Sequence, residues 1–192
     1  MNKSIKGTET EKNLLKAFCG EAQANLRYNF FASAAKKEGL EQIAAIFEET
    51  ANNEKEHAKR FYSFLENNNL NINTTFSSMP IYDTMRNLKF AISGENKEHS
   101  QIYPLMSKIA KDEGFCDVSE CFNYIAVVER HHEIRYLMLF DNLENDRTFK
   151  KDIVTRWKCR NCGYIYESKE ALEICPACLH SKAYAEELCD NF

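Results

Sequence analysis

The chain has 192 residues, of which 44% are hydrophobic, 12% aromatic and 28% charged, and its formal net charge at pH 7 is −4. This composition is sufficient for a packed core. The net charge is mildly negative and there is no basic tract, so the sequence gives no electrostatic sign of binding to nucleic acid or to an anionic membrane. No apolar run approaches the ~18 residues of a membrane span. The opening MNKSIKGTETEKN lacks the apolar core of a signal peptide, so we expect a cytoplasmic protein.

The first part of the chain shows apolar residues at steps of three and four, which is the helical pattern. It predicts two long helices over residues 10–38 and 40–66, with Gly39 as the residue that ends the first one. Because so short a turn leaves no room for a crossover, the two helices should be antiparallel neighbours.

A polar, turn-forming stretch, NNNLNINTTFSSMP, separates this pair from two further predicted helices, over residues 81–111 and 118–145. The stretch has about 14 residues and can extend over about 45 Å, whereas a helix of about 27 residues is about 40 Å long. It can therefore cross the whole length of a helical bundle. The predicted fold class is an all-α, ferritin-like four-helix bundle with one long crossover.

The last part of the chain has a different composition, with two CxxC pairs, the single tryptophan and short β-like pieces such as YIYES. We therefore expect a helical domain over residues 1–146, a linker over 147–154 and a small β-rich domain over 155–192. So small a domain has little core of its own, and a bound metal should contribute much of its stability.

Each predicted helix carries glutamate within its apolar seam. Steps of three and four keep side chains on one helix face, so these acids should project toward the core. The interval from the first acid to the acid of the next ExxH is 33 residues in the first helical pair and 34 in the second, so the chain consists of two similar hairpins. The polar residues of the four seams are Glu21, then Glu54 and His57, then Glu95 and Glu98, then Glu129 and His132.

The usual interpretation of a charge-rich run such as EETANNEKEHAKR is a solvated helix face. Four acids at mirrored positions, two of them followed by histidine after three residues, instead favour a di-metal site. Several buried carboxylates need cations to offset their charge, and mixed glutamate and histidine ligands suit iron or manganese better than zinc. Glu98 is surplus to such a site and could allow the ligands to change with oxidation state. His131 lies about 200° around the helix from Glu129, so we expect a surface histidine.

The C-terminal segment spaces its cysteines as CxxC, twelve residues, then CxxC. Two such pairs complete a tetrahedral, all-sulfur metal site, for which the spacing alone favours structural zinc over iron and leaves His180 as a surface residue. The predicted ligands are Cys159, Cys162, Cys175 and Cys178. The remaining cysteines should be small buried hydrophobes rather than ligands, namely Cys19, Cys116, Cys121 and Cys189.

These motifs, in this order, resemble the rubrerythrin family over essentially the whole chain: glutamate, ExxH, ExxE and ExxH on four helices, then CRNCGY and CPAC. The segment GENKEHSQIYP is similar to the family's third helix. The resemblance implies a non-haem di-iron peroxidase, an oxidoreductase that reduces hydrogen peroxide to water and protects an anaerobe from oxidative stress. It also implies a rubredoxin-type iron, rather than zinc, in the four-cysteine site. That iron would relay electrons from an NAD(P)H-dependent reductase or a rubredoxin.

The resemblance further implies a role for each residue of the di-iron centre. Two shared glutamates, Glu54 and Glu129, would bridge the irons. Two others, Glu21 and Glu95, would be terminal ligands, one on each iron. The last member of the set, His132, would bind its iron throughout.

The other iron would exchange His57 for Glu98 between reduced and oxidised states, by the same resemblance. Tyr28 and Tyr103 match family tyrosines that donate hydrogen bonds to ligand carboxylates. Core aromatic residues with a satisfied hydroxyl are the alternative interpretation of these two tyrosines.

Family members also form homodimers in which the rubredoxin domain of one subunit faces the di-iron site of the other, so we expect a head-to-tail homodimer. The link of about 10 residues before Cys159 can span about 30 Å, which permits such an arrangement. Two alternatives remain open. A ferroxidase or iron-storage protein of ferritin type would have similar helices but no need of thiolate-bound iron, and a non-enzymatic scaffold with a zinc ribbon would leave the buried acids without a purpose.

Overall fold

The computed structural model describes residues 3–75 and 78–189. Within them the chain forms five α-helices, one π-helical segment, one 3-10 turn and three β-strands. In chain order these are α1 (Glu9–Lys37), α2 (Glu41–Tyr62), α3 (Thr84–Lys97), the π-helical segment (Glu98–Ile102), α4 (Tyr103–Asp112), α5 (Cys116–Glu144), β1 (Lys150–Cys159), β2 (Ile165–Glu170), the 3-10 turn (Lys182–Tyr184) and β3 (Ala185–Glu187).

Two helical hairpins build the bundle, and a glycine with positive φ ends the first arm of each. Gly39 has φ 74° and Gly114 has φ 84°, a left-handed conformation that a side chain disfavours. After each glycine the next amide returns to the helix that has just ended: the Leu40 N–H donates to the Ala35 carbonyl at 2.9 Å. The first hairpin packs α1 against α2, and the second packs α3 and α4 against α5.

The connection between the hairpins is the expected crossover. Between α2 and α3 the described residues form neither helix nor strand. Both α2 and the α3–α4 arm run from the same end of the bundle to the other, because their first residues pack in one hydrophobic cluster and their last residues in a second cluster. The two arms are therefore parallel, which requires the connection to return along the bundle. The structure confirms the predicted four-helix bundle with one long crossover.

The predicted third helix, residues 81–111, is interrupted, so the expectation of one continuous α-helix is wrong. The Tyr103 N–H donates to the Glu98 carbonyl, five residues back, which is the π-helical pattern. Pro104, in the first turn of α4, has no N–H with which to continue the α-helical ladder. The wider turn begins at Glu98 itself and inserts one extra residue next to the seam acids.

The bundle core is divided into two hydrophobic clusters with a polar layer between them. On all four arms the chain passes from one cluster, through a seam glutamate, into the other: on α1, for example, Ala17 and Ala24 belong to different clusters and Glu21 lies between them. The cluster at the Gly39 end, called here the upper cluster, is built around Phe31, Phe47, Leu88 and Tyr136. The lower cluster is built around Leu14, Phe61, Tyr103 and Phe122.

The C-terminal part is a small antiparallel sheet in the order β2-β1-β3. Its core is Trp157, which is fully buried and donates its indole N–H to the Ser168 carbonyl at 3.0 Å. Residues from Lys150 onward, within the range expected as a linker, form the first half of β1, with a register shift before Thr155. Phe149 packs against both the Trp157 core and the upper cluster of the bundle.

Within the described ranges, no helix combines the length and the apolar character that crossing a membrane requires. The small β-rich domain with four cysteines, expected from the sequence, is confirmed as part of the fold. Its boundaries, and those of the helical domain, stay a prediction.

Candidate metal centres

The four helical arms bring six of the predicted residues together in the polar layer. They form two overlapping groups of four, and within each group the ligand atoms lie within 4.8 Å of one another. Two glutamates belong to both groups. The first group is Glu21, Glu54, His57 and Glu129, and the second is Glu54, Glu95, Glu129 and His132.

Each shared glutamate turns one oxygen toward each histidine. The His57 Nδ1 lies 2.8 Å from Glu54 Oε2 and 2.9 Å from Glu129 Oε1. The His132 Nδ1 lies 3.1 Å from Glu54 Oε1 and 2.9 Å from Glu129 Oε2. A carboxylate that presents its two oxygens to two neighbouring centres has the arrangement of a bridging ligand.

The two remaining acids each belong to one group. Glu21 lies 3.9 Å from the His57 Nδ1, and Glu95 lies 3.4 Å from the His132 Nδ1. Each accepts a hydrogen bond on Oε1 from a buried tyrosine of another arm: Tyr103 donates to Glu21 and Tyr28 donates to Glu95. Glu21 approaches both Tyr103 and His57 with Oε1, whereas Glu95 approaches Tyr28 with Oε1 and His132 with Oε2.

The electrostatics of the layer show how tightly these charges depend on one another. Burial and the neighbouring carboxylates raise the pKa of Glu21 well above its usual value. Burial also raises the pKa of Glu95, to about 8, although a hydrogen bond to His132 opposes the shift. For Glu54 burial acts in the same upward direction, but hydrogen bonds to both histidines outweigh it and lower the pKa to about 2.

The histidines show the complementary effect. Burial lowers the pKa of His57 and of His132, but hydrogen bonds to Glu129 and Glu54 outweigh it, and the pKa values rise to about 9 and about 12. Without metal, the layer is therefore held together by protons on histidine and on the outer acids. Cations bound by the same atoms would replace those protons.

The residues present fit a pair of metal ions. Glu21 Oε2 is buried and has no hydrogen-bond partner among the described residues, and the ligand atoms of each group crowd within 4.8 Å of one another. Orphaned buried atoms of this kind are rare without a ligand. Four carboxylates and two imidazoles suit iron or manganese.

Glu98, the seventh predicted residue, belongs to neither group in this structure. It lies in the wall of a cavity of about 370 Å³ between α1 and the α3–α4 arm, together with Tyr28 and Tyr103. The described residues give its carboxylate no hydrogen bond. Burial and the neighbouring carboxylates raise its pKa well above the usual value. The surplus acid is thus next to the site and outside it.

The other histidine and acid of the VVERHHEIRY segment are not in the groups. His131 is exposed, as predicted. Glu133 accepts a hydrogen bond from Asn96 and lies 2.6 Å from the His99 Nε2, away from the two groups.

Asn53, which no sequence pattern indicated, also contacts the centre. Its Oδ1 lies 3.3 Å from the His132 Nε2, so the ring nitrogen that does not face the acids has an acceptor. Asn53 directly precedes Glu54 and is off the periodic seam, and periodicity therefore gave no sign of it. The only available signal was its position beside an ExxH motif.

The four predicted cysteines of the C-terminal domain converge. Their sulfur atoms lie within 4.8 Å of one another, and the Cys159–Cys178 and Cys162–Cys175 pairs are both 3.7 Å apart. A tetrahedron with metal–sulfur bonds of ~2.3 Å has edges of ~3.8 Å, so the geometry fits one ion.

In both CxxC turns the second cysteine accepts a backbone hydrogen bond. The Tyr164 N–H bonds to Cys162 and the His180 N–H to Cys178, each two residues further on. The amide lowers the pKa of Cys178 to about 6, whereas at Cys162 contacts with the other thiols outweigh it and raise the pKa to about 12. His180 is not in the four-cysteine group, in agreement with the prediction, and its partly exposed ring packs edge-on against Tyr184.

The remaining cysteines divide. Cys121 is buried, in agreement with the prediction, and Cys19 is partly buried. Cys116 and Cys189 are exposed, so the expectation of buried hydrophobes is wrong for these two. The apolar residues near a cysteine in the sequence did not indicate whether its side chain is buried or exposed.

Comparison with known proteins gives a consistent result. The chain matches the family model described as Rubrerythrin over residues 12–140 and the one described as Rubrerythrin, rubredoxin-like domain over 157–186. It is 52% identical to a rubrerythrin of Porphyromonas gingivalis, over 100% of this chain and 96% of that one. It is 47% identical to a rubrerythrin of Nitratidesulfovibrio vulgaris, over 99% and 100%. A solved structure of nigerythrin in a mixed-valence state superposes with a TM-score of 0.63 at 31% identity, covering 97% of this chain and 90% of that one.

The protonated layer predicts how the metal-free protein responds to pH. The folded-state pKa of Glu95 is about 8, against about 4.5 unfolded, and that of His57 is about 9, against about 6.5. In both cases the folded state binds the proton more tightly, so the free energy of unfolding should fall as the pH rises from about 5 to about 9.

Urea unfolding of metal-free protein at pH 5, 7 and 9 measures this effect. Glu95→Gln, which cannot ionise, should flatten the profile between pH 5 and 8, and metal-loaded protein should not show the loss. A stability that is constant or rises over this range would contradict the prediction.

Proposed function

Because the chain belongs to the rubrerythrin family, we propose that it reduces hydrogen peroxide to water at a di-iron centre. Membership makes it a non-haem di-iron oxidoreductase with a rubredoxin-like iron site held by four cysteines. The observation that supports a peroxidase is the presence, in one chain, of two histidine–carboxylate groups with shared acids and of a separate four-thiolate site. A pair of irons in the histidine–carboxylate groups can transfer two electrons to a substrate, and an iron in the four-thiolate site transfers one electron at a time.

The shared carboxylates would hold the irons together. Each oxygen of Glu54 and Glu129 faces one histidine, so these two would bridge. Glu21 with His57 would complete one iron site, and Glu95 with His132 the other. Tyr28 and Tyr103 would fix the terminal acids by donating a hydrogen bond to Oε1 of each.

When bound in its reduced form, the iron pair supplies the two electrons that peroxide reduction needs. The reaction also consumes two protons for each peroxide that becomes two waters. Glu98 would carry one of them, a role supported by the position of its carboxyl in the cavity wall beside the groups and by its raised pKa. We propose that the same carboxylate takes the place of His57 when the oxidation state changes.

The cavity beside Glu98 would be the entrance for peroxide. Two helical glycines, Gly20 and Gly94, line it, and a Cβ at either would meet no atom within 4 Å. Neither needs a positive φ, and glycine within a helix costs about 1 kcal/mol relative to alanine. What these glycines leave is open space next to the acids.

Electrons would arrive from a separate donor, an NAD(P)H-dependent reductase or a rubredoxin, through the four-cysteine iron. The C-terminal domain contacts the Gly39 end of the bundle, where Ala183 approaches Gly39. Glu21 is 18 residues before Gly39, or roughly 27 Å at the helical rise. Since electron transfer slows steeply with distance, we propose that the cysteine site of a second subunit would supply electrons to this di-iron centre.

An exposed apolar stripe on α5 supports a homodimer. Its members recur on one helix face and are 44–70% exposed: Tyr124, Val127, Ile134 and Met138. A head-to-tail pair that covers this stripe would remove it from water. We propose this assembly as the working form.

Iron loading distinguishes this proposal from its rivals. Protein prepared anaerobically with iron should hold three irons per chain and show a red iron–thiolate band that bleaches on reduction and returns with one peroxide per two electrons. Cys178→Ser should lose the band and keep two irons. A colourless cysteine site carrying zinc would contradict the electron relay, and dioxygen-driven iron accumulation without peroxide turnover would favour a ferritin-type ferroxidase.

Substitution of the surplus acid tests its part in turnover. Glu98→Ala should lower peroxide turnover by about 10–100-fold, a usual cost for the loss of a residue that supports a metal site. Its circular dichroism should be unchanged, since the carboxylate makes no hydrogen bond among the described residues. Glu133→Ala, an acid outside the groups, is the matched control; equal rates in both variants would contradict the role of Glu98.

Filling the cavity tests the route of entry. Gly94→Leu should lower the second-order rate with hydrogen peroxide and lower it further with a bulky alkyl hydroperoxide, while iron content stays the same. Gly94→Ala should change the rate little, because one methyl group still leaves space. Unchanged rates in the leucine variant would show that peroxide enters elsewhere.

A further inference from the structure

The two hairpins repeat each other but differ at two positions beside the metal groups. Alignment of the ExxH motifs places Asn53, which precedes Glu54, opposite Val128, which precedes Glu129. Alignment of the single acids places Ala24 opposite Glu98. The two hairpins are otherwise similar, but the amide of Asn53 and the carboxylate of Glu98 have no equivalent in the other hairpin.

The amide contacts only one of the two histidines. The His132 Nδ1 faces the carboxylates, while its Nε2 lies 3.3 Å from the Asn53 Oδ1. An imidazole that binds metal through Nδ1 carries its proton on Nε2, and an amide oxygen is the acceptor that this proton needs. Both ends of the ring are therefore fixed, and His132 is only 2% exposed.

His57 is fixed at one end only. Its Nδ1 faces the same shared carboxylates, but within the described residues its Nε2 has no side-chain or backbone acceptor. The corresponding neighbour is Val128, which has no polar side-chain atom. His57 is also more open, at 9% exposure.

The surplus acid lies on the side of the loosely held histidine. Along α2, His57 follows Glu54 toward the lower cluster, and along the third arm Glu98 follows Glu95 in the same direction. Along α5, His132 follows Glu129 toward the upper cluster. The residue on that side equivalent to Glu98 is Ala24, which cannot bind metal.

We propose that Asn53 is a positioning residue that locks His132 in place, and that Val128 at the equivalent position leaves His57 free to give way to Glu98. The first half stands on the contact itself. The second half rests on the proposed ligand exchange. Asn53 and Val128 would together determine which of the two irons changes its ligand.

Metal binding tests the first half without reference to turnover. Metal-free protein is titrated with Co²⁺, whose thiolate bands report the cysteine site separately from the two oxygen–nitrogen sites. Asn53→Val should weaken one of the two bundle equivalents about 10–100-fold. Asn53→Asp, which keeps an acceptor oxygen, should restore much of the affinity, and Asn52→Val, its exposed neighbour, should have no effect. Unchanged affinity in Asn53→Val, with unfolding unaltered, would overturn the positioning role.

The second half is tested by moving the anchor. Val128→Asn should give the His57 ring an acceptor, tighten the other Co²⁺ equivalent and slow peroxide turnover of the iron-loaded protein. Val128→Ala is the control that adds no acceptor. Tighter binding with unchanged turnover would overturn the link between anchoring and ligand exchange. A wild-type protein that does not turn over peroxide would instead refute the proposed function and leave the Asn53 result standing.

Discussion

The structure depends on the burial of carboxylates between two hydrophobic clusters. Ionised acids in such a place are very costly unless cations or protons offset their charge. The long helices, the two histidines and the two tyrosines all support this layer: they bring Glu21 into one group and Glu95 into the other, and they leave Glu21 Oε2 without a partner among the described residues. The metal ions that satisfy those atoms are therefore part of the fold as well as of the chemistry.

Much of this layer could be predicted from the sequence, because side chains at steps of three and four share a helix face. The seam acids, both ExxH histidines and the cysteine pairs follow from spacing alone. Residues off the periodic pattern could not be found that way. Asn53 contacts His132 from a neighbouring face, and the π-helical segment begins at Glu98, six residues before the proline that cannot continue the α-helical ladder. The first half of β1 has no alternating pattern, since its exposed residues include Ile153 and Val154.

The duplication of the helical hairpin accounts for the paired arrangement of the metal-binding residues. Equivalence between the hairpins identifies the shared and terminal acids, but equivalence alone would give two identical iron sites. The chemistry proposed here needs them to differ. The departures from the repeat, an extra acid at one site and an extra amide at the other, are small in sequence and lie where the two groups need different freedom of movement.

Phe149 links the packing of the helical bundle to that of the C-terminal sheet. Its ring packs against the upper cluster of the bundle and against Trp157 in the sheet, so neither core is complete without it. Loss of the ion from the cysteine site would loosen the sheet, withdraw this ring from the bundle and expose the aromatic cluster above the acids. The segment between the two parts therefore couples the stability of the bundle to that of the sheet as well as connecting them.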